Sequence, residues 1–271
     1  MVKKILVLLC SVFLFSVFSF RVEAAVGVSQ KAAASEEKVS QYLETTVDTF
    51  LRIRSGPGTN YGIIRKIPSG VVLKVKKRVE ISRDEVWYEV DINKSELRYP
   101  ERVAGDWYFA ARYGGEDYAV STFIHEKLLT VYPHTTDRDK EIKIFLSEMR
   151  IRAYEKGIEV FSGPISSGKS VDKNGNPTDK YKTPVGKFKV YKKVISRYMQ
   201  GPLPGDDEEY DLPGVAWAMY FTPAGNVIHA AYWNQLIGKA NKSHGCVNLR
   251  FKDAQWLYNW APVGTPVTVV S

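Results

Sequence analysis

Two short stretches hold the residues best suited to covalent chemistry. His229 follows the apolar run Asn226-Val227-Ile228, and Cys246 lies within Ser243-His244-Gly245-Cys246-Val247-Asn248. A cysteine acts as a nucleophile in its thiolate form, and a nearby imidazole both lowers the thiol pKa and carries a proton to a leaving group. Gly245 permits an unusual turn that aims backbone amides at a developing oxyanion. The composition of these stretches therefore predicts a nucleophile loop.

The spacing alone leaves two other interpretations open. A His-x-Cys pattern also occurs where a buried cysteine packs beside a core histidine. A zinc site is the other alternative, because imidazole and thiolate are zinc ligands. Here His229, His244 and Cys246 give three ligands without a clear fourth, and the chain has no Cys-x-x-Cys pair.

The first 25 residues have the pattern of a secretory signal peptide. Lys3 and Lys4 precede an uncharged apolar run over residues 5–20, and Val22-x-Ala24 supplies the small residues that a signal peptidase accepts. An uncleaved N-terminal anchor is the alternative. Either reading predicts an exported protein of the periplasm or cell envelope. Cys10 would belong to the leader, so Cys246 would be the one cysteine of the mature chain, in an oxidising compartment.

The remainder predicts a mostly β protein with two domains. The 271 residues are 44% apolar and 25% charged, which is globular composition, and the net charge of +8 by itself identifies no partner. Residues 26–45 lack a sustained apolar stripe and are interpreted as a flexible tether. Residues 46–128 alternate like the short strands of a small barrel, and residues 140–271 are β-rich with a short C-terminal helix near residues 253–260.

The first domain resembles the bacterial SH3-like domains. The similarity is carried by Leu51-Arg52-Ile53-Arg54-Ser55-Gly56-Pro57-Gly58, by Gly70, by Trp107-Tyr108 and by Tyr118-Ala119-Val120-Ser121. Such domains commonly bind cell-wall peptides, and a barrel that only spaces or orients its neighbour is the alternative. Residues 92–106 are longer and more charged than the compact pattern and predict an inserted hairpin.

The second domain resembles the YkuD-type L,D-transpeptidase catalytic domain. The SHGC core with an upstream histidine carries most of this similarity. Further matching pieces occur in family order: Ser166-Ser167-Gly168, Thr183-Pro184-Val185-Gly186-Lys187-Phe188, Ala218-Met219-Tyr220-Phe221, Asp253-Ala254 and Gly264-Thr265-Pro266-Val267.

The resemblance implies a role for each site residue. Cys246 would be the nucleophile and His229 its acid/base partner. Four residues would support the loop and the oxyanion hole: Ser243, His244, Gly245 and Asn248. Three others are weaker candidates for substrate binding: Tyr210 and Trp233 in the donor pocket, and Arg250 on a stem carboxylate.

The implied reaction is acyl transfer on peptidoglycan stem peptides. The thiolate would attack the third residue of a tetrapeptide, release D-alanine and pass the acyl group to an amine, whereas transfer to water would make the protein an L,D-carboxypeptidase or another peptidoglycan-trimming thiol hydrolase. Cell-wall cysteine hydrolases generally place Cys before His, and here His229 comes first. A non-catalytic wall-binding protein is a third alternative. We expect no cofactor, no metal and no nucleic-acid partner, and possible wall binding through the SH3-like domain.

Overall fold

The computed structural model describes residues 34–113, 116–117, 120–124 and 139–271. The predicted signal peptide and residues 26–33 lie outside this part, as does most of the segment between the two predicted domains. Within the described residues, no helix is long and apolar enough to span a membrane.

The first domain is one eight-stranded sheet. Its strands are β1 (Ser35–Thr45), β2 (Leu51–Arg54), β3 (Ile63–Ile67), β4 (Val72–Ser82), β5 (Glu85–Val90), β6 (Tyr108–Tyr113), β7 (Glu116–Asp117) and β8 (Val120–Ile124). The hydrogen-bonded order is β3-β2-β6-β5-β4-β1-β8, with β7 added beside β6. Ile53, Val75 and Phe109 are fully buried in its core, as the alternation of apolar residues predicts.

Two predictions for this domain are wrong. Residues 35–45 are not a flexible tether, because β1 pairs antiparallel with both β4 and β8. The second half of this strand buries Tyr42 and Leu43. Cross-strand pairing therefore makes a strand of a segment whose own sequence has only a weak apolar pattern. Residues 92–106 do not form a hairpin: they contain two 3₁₀ turns, Lys94–Glu96 and Pro100–Arg102.

The second domain has two sheets and a short helix. Sheet order β11-β10-β9-β17-β12 is built from β9 (Lys140–Phe145), β10 (Arg150–Glu155), β11 (Ile158–Pro164), β12 (Gly186–Lys189) and β17 (Pro266–Val270). Sheet order β13-β14-β15-β16 is built from β13 (Lys192–Gln200), β14 (Asp211–Tyr220), β15 (Val227–Ala230) and β16 (Val247–Leu249). The helix α1 (Phe251–Trp260) follows β16 directly.

One apolar core joins the two sheets and the helix. Ile144 and Ile151 from one sheet, Met219 and Ile228 from the other, and Leu257 of α1 belong to the same buried cluster. Burial of each such side chain contributes about 1.5–3 kcal/mol. The predicted mostly β fold with a short C-terminal helix is therefore confirmed, and the core fixes the sheet that carries β15 and β16.

The two domains are interlocked by polar and apolar contacts. Arg65 of β3 donates to the carboxylate of Asp211 at 2.6 Å, and Ser196 Oγ of β13 donates to the carbonyl of Val72 at 2.6 Å. Tyr42 and Val72 of the first domain are members of the second domain's core cluster. Gly214 permits the close approach: a Cβ at this position would lie 2.4 Å from Val71 Cγ1 and 2.7 Å from Val72 O.

We predict that Gly214→Ala destabilises the protein through this junction. Its φ of +63° adds a left-handed strain of about 1–2 kcal/mol, and the clash with Val71 and Val72 adds about 1–3 kcal/mol. Gly157→Ala is the matched control, because Gly157 also has a positive φ but a Cβ there meets open space. Denaturant unfolding should show the larger loss for Gly214→Ala, and equal losses would contradict the junction's role.

Candidate active site

The site is built on the parallel pair β15 and β16. Ile228 lies opposite Val247 and His229 opposite Asn248. Because side chains alternate along a strand, His229, Asn248 and the preceding Cys246 project to one face of the sheet. Pairing in this register therefore places the histidine and the cysteine, which are 17 residues apart in the sequence, on the same face of the sheet.

The turn before β16 is held by side chains from two other segments and by its own Ser243. Gly245 has a φ of +104°, where glycine is strongly favoured, and its carbonyl accepts hydrogen bonds from Asn226 Nδ2 at 2.9 Å and Thr183 Oγ1 at 3.1 Å. Ser243 Oγ donates to the carbonyl of Cys246 at 2.5 Å and accepts from the Gly245 amide at 3.1 Å. Ser243 and Gly245 of the predicted loop thus fix the backbone around the cysteine.

His229 is buried, with 2% of its surface exposed, and both of its ring nitrogens are hydrogen-bonded. Nδ1 contacts the carbonyl of Ala230 at 2.8 Å, so Nδ1 carries the proton. Nε2 is then free to accept from Asn248 Nδ2 at 3.1 Å. Burial lowers the pKa of His229 to about 4, and the bond to Ala230 offsets this only in part. The imidazole is therefore neutral at physiological pH.

Asn234 is a site residue that the sequence analysis missed. Its Nδ2 donates to Asn248 Oδ1 at 3.1 Å, which turns the Asn248 amide so that its own Nδ2 faces His229. Asn234 thus helps to fix the tautomer of the histidine through Asn248. The sequence signal was slight: an Asn five residues after the histidine, in a loop whose path the sequence does not reveal.

Cys246 is half-buried and lines an open cleft of about 440 Å³. Burial raises the pKa of its thiol to about 11, although a hydrogen bond from the Val227 amide acts in the opposite direction. The sequence-based expectation that the imidazole ionises this sulfur therefore does not hold for the resting site. Because burial disfavours charge on both groups, the resting pair is a neutral thiol and a neutral imidazole.

His244, two residues before the cysteine, is held by a hydrogen bond to Glu208. Its Nε2 contacts Glu208 Oε2 at 2.8 Å, and Lys169 Nζ donates to the same carboxylate. Burial acts to raise the pKa of Glu208, but the bonds from Lys169 and His244 outweigh it and hold this pKa below its usual value. The rings of Tyr181 and Tyr210 pack on His244 at centroid distances of 4.8 and 5.4 Å.

The acidic run at residues 206–209 is partly buried beside the site. The carboxylate of Asp206 has no exposed surface and accepts from the Tyr181 hydroxyl at 2.7 Å. Burial acts to raise its pKa, but this bond and backbone amides of Asp207 and Glu208 lower it to about 2. Asp206 and Glu208 thus hold the loop beside the site, whereas Asp207 and Glu209 do face solvent.

The three weaker candidates lie in different places. Tyr210 lines the same cleft as Cys246. Trp233 instead packs on the ring of His229, with centroids 5.7 Å apart and planes at 29°. Arg250 is exposed at the start of α1 and is absent from the residues that line the cleft.

The described residues show no group of three or more His, Cys, Asp or Glu side chains arranged to hold a metal ion. The nitrogens of His229 are bonded to Ala230 and Asn248, while His244 is bonded to Glu208. The zinc alternative therefore has no geometric support in this part of the chain.

Comparison with known protein families identifies both domains. Residues 139–269 match the family model of the L,D-transpeptidase catalytic domain. The chain therefore carries an L,D-transpeptidase catalytic domain. Residues 49–100 match the model of the bacterial SH3 domain, so this L,D-transpeptidase domain follows an SH3 domain, as the sequence predicts.

Curated relatives carry the same family name. The chain is 38% identical over 93 residues to "Probable L,D-transpeptidase 3" of Mycobacterium tuberculosis, covering 33% of this chain and 34% of the relative. It is 33% identical over 92 residues to "L,D-transpeptidase 1" of that organism, covering 32% of this chain and 37% of the relative. The matched part thus spans about a third of the length of these relatives.

The solved structures that are similar to this chain include L,D-transpeptidases. The crystal structure of L,D-transpeptidase 3 from Mycobacterium tuberculosis, in complex with a faropenem-derived adduct, is 21% identical to this chain with a TM-score of 0.42. The match covers 69% of this chain and 91% of that one.

We predict that alkylation of Cys246 accelerates steadily with pH. Only the thiolate reacts, so with a pKa of about 11 the rate with iodoacetamide should rise about tenfold per pH unit from about pH 7 to about pH 9. His229→Gln should leave the rate at neutral pH nearly unchanged, because a neutral imidazole does not ionise the resting thiol. Mass spectrometry of the Cys246 peptide measures both rates. A plateau reached at neutral pH, or a slower reaction in His229→Gln, would instead indicate a thiolate–imidazolium pair.

Proposed function

We propose that this protein is a peptidoglycan L,D-transpeptidase with Cys246 as its nucleophile. The observation that carries the proposal is the placement of Cys246 in an open cleft, on the same sheet face as His229 and Asn248. The substrate would be a stem tetrapeptide whose third residue is followed by D-alanine. The match to the L,D-transpeptidase catalytic domain supports this reaction class.

The first half-reaction forms a thioester and releases D-alanine. Cys246 Sγ bonds to the carbonyl carbon of the third residue while the thiol proton passes to His229 Nε2. The tetrahedral intermediate then collapses, the C–N bond breaks, and His229 returns the proton to the departing amine. In the second half-reaction an acceptor amine attacks the thioester and gives up a proton to His229. The C–S bond then breaks, and His229 returns this proton to the sulfur, which leaves a new amide and a free thiol.

The electrostatics of the site favour proton transfer during attack rather than before it. The pKa values of about 11 and about 4 imply that an ion pair in the resting site costs on the order of 10 kcal/mol before the attraction between its two charges. Substrate must therefore supply the driving force, since bond formation makes the thiol proton acidic. The Asn248 amide leaves Nε2 as the proton arrives, because a protonated nitrogen cannot accept its hydrogen bond.

The oxyanion would be stabilised by the backbone at the cysteine turn. The amide of Gly245 is already bonded to Ser243 Oγ. The amides of His244 and Cys246 are therefore the proposed donors, on a turn that Thr183 and Asn226 hold in place. Donors fixed in advance are effective because they need no reorganisation as charge develops.

We also propose that the protein is exported to the cell envelope. A secretory leader over residues 1–25 would deliver the protein to the compartment where peptidoglycan lies. The SH3 domain is consistent with an affinity for wall peptides.

The test combines purified protein with disaccharide tetrapeptides. We expect D-alanine release and an acyl adduct on the Cys246 peptide by mass spectrometry. Cys246→Ala should abolish both. His229→Gln should slow acylation by about 10²–10⁴-fold. An adduct that persists in Cys246→Ala would contradict the proposal. A crosslinked dimer as product identifies transpeptidation, whereas a tripeptide alone identifies the carboxypeptidase alternative.

A further inference from the structure

The SH3 domain contributes part of the wall of the catalytic cleft. Residues 96–98, which belong to the segment between β5 and β6, line the same cleft as Cys246, His244 and Tyr210. Residues 96–98 fall within the SH3 family match, at residues 49–100, rather than within the catalytic match. The cleft is therefore complete only when both domains are present.

The segment is anchored to β13 on both sides of Arg98. Arg197 Nη1 donates to Glu96 Oε2 at 2.6 Å, and its Nη2 donates to the carbonyl of Glu96 at 3.1 Å. On the other side the backbone of Tyr99 exchanges two bonds with the amide of Gln200, at 3.0 and 3.2 Å. The backbone of Arg98 is thus held in place at the cleft edge.

A second pair of contacts secures the end of the segment. The hydroxyl of Tyr99 donates to the carbonyl of Pro202 at 2.8 Å, and Arg102 Nη1 donates to the carbonyl of Gly201 at 2.8 Å. The Arg102 guanidinium also lies over the Tyr99 ring, 4.1 Å from its centroid. Such a fixed backbone reduces the conformational entropy that Arg98 loses on binding a ligand.

Among the described residues, the cleft wall has one more positive side chain than negative ones. Among the Asp, Glu, Lys and Arg residues that line it, Glu96 and Arg197 pair with each other. The exposed guanidinium of Arg98 makes no ion pair with any described carboxylate. Its charge acts on another residue that lines the cleft: burial raises the pKa of Tyr210 to about 12, and Arg98 acts against that rise.

We propose that Arg98 binds the C-terminal carboxylate of the donor peptide and so helps to determine donor specificity. This inference rests on the proposed transpeptidase function. In that reaction the leaving D-alanine carries a free carboxylate about one residue, roughly 3.5 Å, beyond the scissile amide, so the partner of this carboxylate must line the same cleft as Cys246. A guanidinium matches a carboxylate with two parallel N–H donors.

The test compares two donor tetrapeptides, one with a free C-terminal carboxylate and one with a C-terminal amide. In the wild-type protein the acid should be the better donor. Arg98→Ala should lower kcat/KM for the acid by about tenfold, leave the amide nearly unchanged and remove the preference between them. Arg83→Ala is the matched control: it deletes an exposed guanidinium of the same domain in the β4–β5 turn. Its acid preference should equal that of the wild type.

A binding arm separates this inference from the proposed function. In the Cys246→Ala background, the acid should bind more tightly than the amide, and Arg98→Ala should abolish that difference without turnover being required. Absence of D-alanine release by the wild type would contradict the transpeptidase function. Release with an acid preference that survives Arg98→Ala would overturn the role of Arg98 alone. A penalty that instead follows amidation of a side-chain carboxylate would likewise overturn the assignment to the C-terminus.

Discussion

The site depends on the parallel pairing of two short, fully buried strands, Val227–Ala230 and Val247–Leu249. Their register decides that His229 and Asn248 are opposite each other and that Cys246 projects from the same face. A slip of one residue would turn the histidine to the other face of the sheet. The apolar core beneath, which includes Ile228 and Val247, resists such a slip. The packing of the domain is thus what creates the geometry of the candidate site.

The same burial has an electrostatic cost. Removing the thiol and the imidazole from water moves their pKa values apart, to about 11 and about 4, so neither carries charge at rest. His229 Nδ1 donates to the carbonyl of Ala230, and Nε2 accepts from Asn248, whose amide is held by a hydrogen bond from Asn234. These bonds fix Nε2 as the nitrogen that is able to accept a proton. Under the proposed function, reactivity appears only when substrate fills the cleft, because the resting thiol is neutral and only the thiolate is strongly nucleophilic.

The sequence alone predicted the features that depend on residues close together in the chain. It predicted the mostly β fold, the two families and the residues of the cysteine turn, because motif and alternation are local signals. It missed strand β1, whose partners β4 and β8 are distant in sequence, and it missed Asn234, whose role exists only through Asn248. The shared wall of the cleft arises from contacts between domains, which no single motif records.

The charge and tautomer of His229 test this account most directly. In protein labelled with ¹⁵N at histidine, the ring nitrogens of His229 can be assigned by the loss of their signals in His229→Gln. The account predicts a neutral ring protonated at Nδ1 from neutral pH down to about pH 5, because its pKa is about 4. An imidazolium at neutral pH, or a proton on Nε2 of the resting protein, would contradict it.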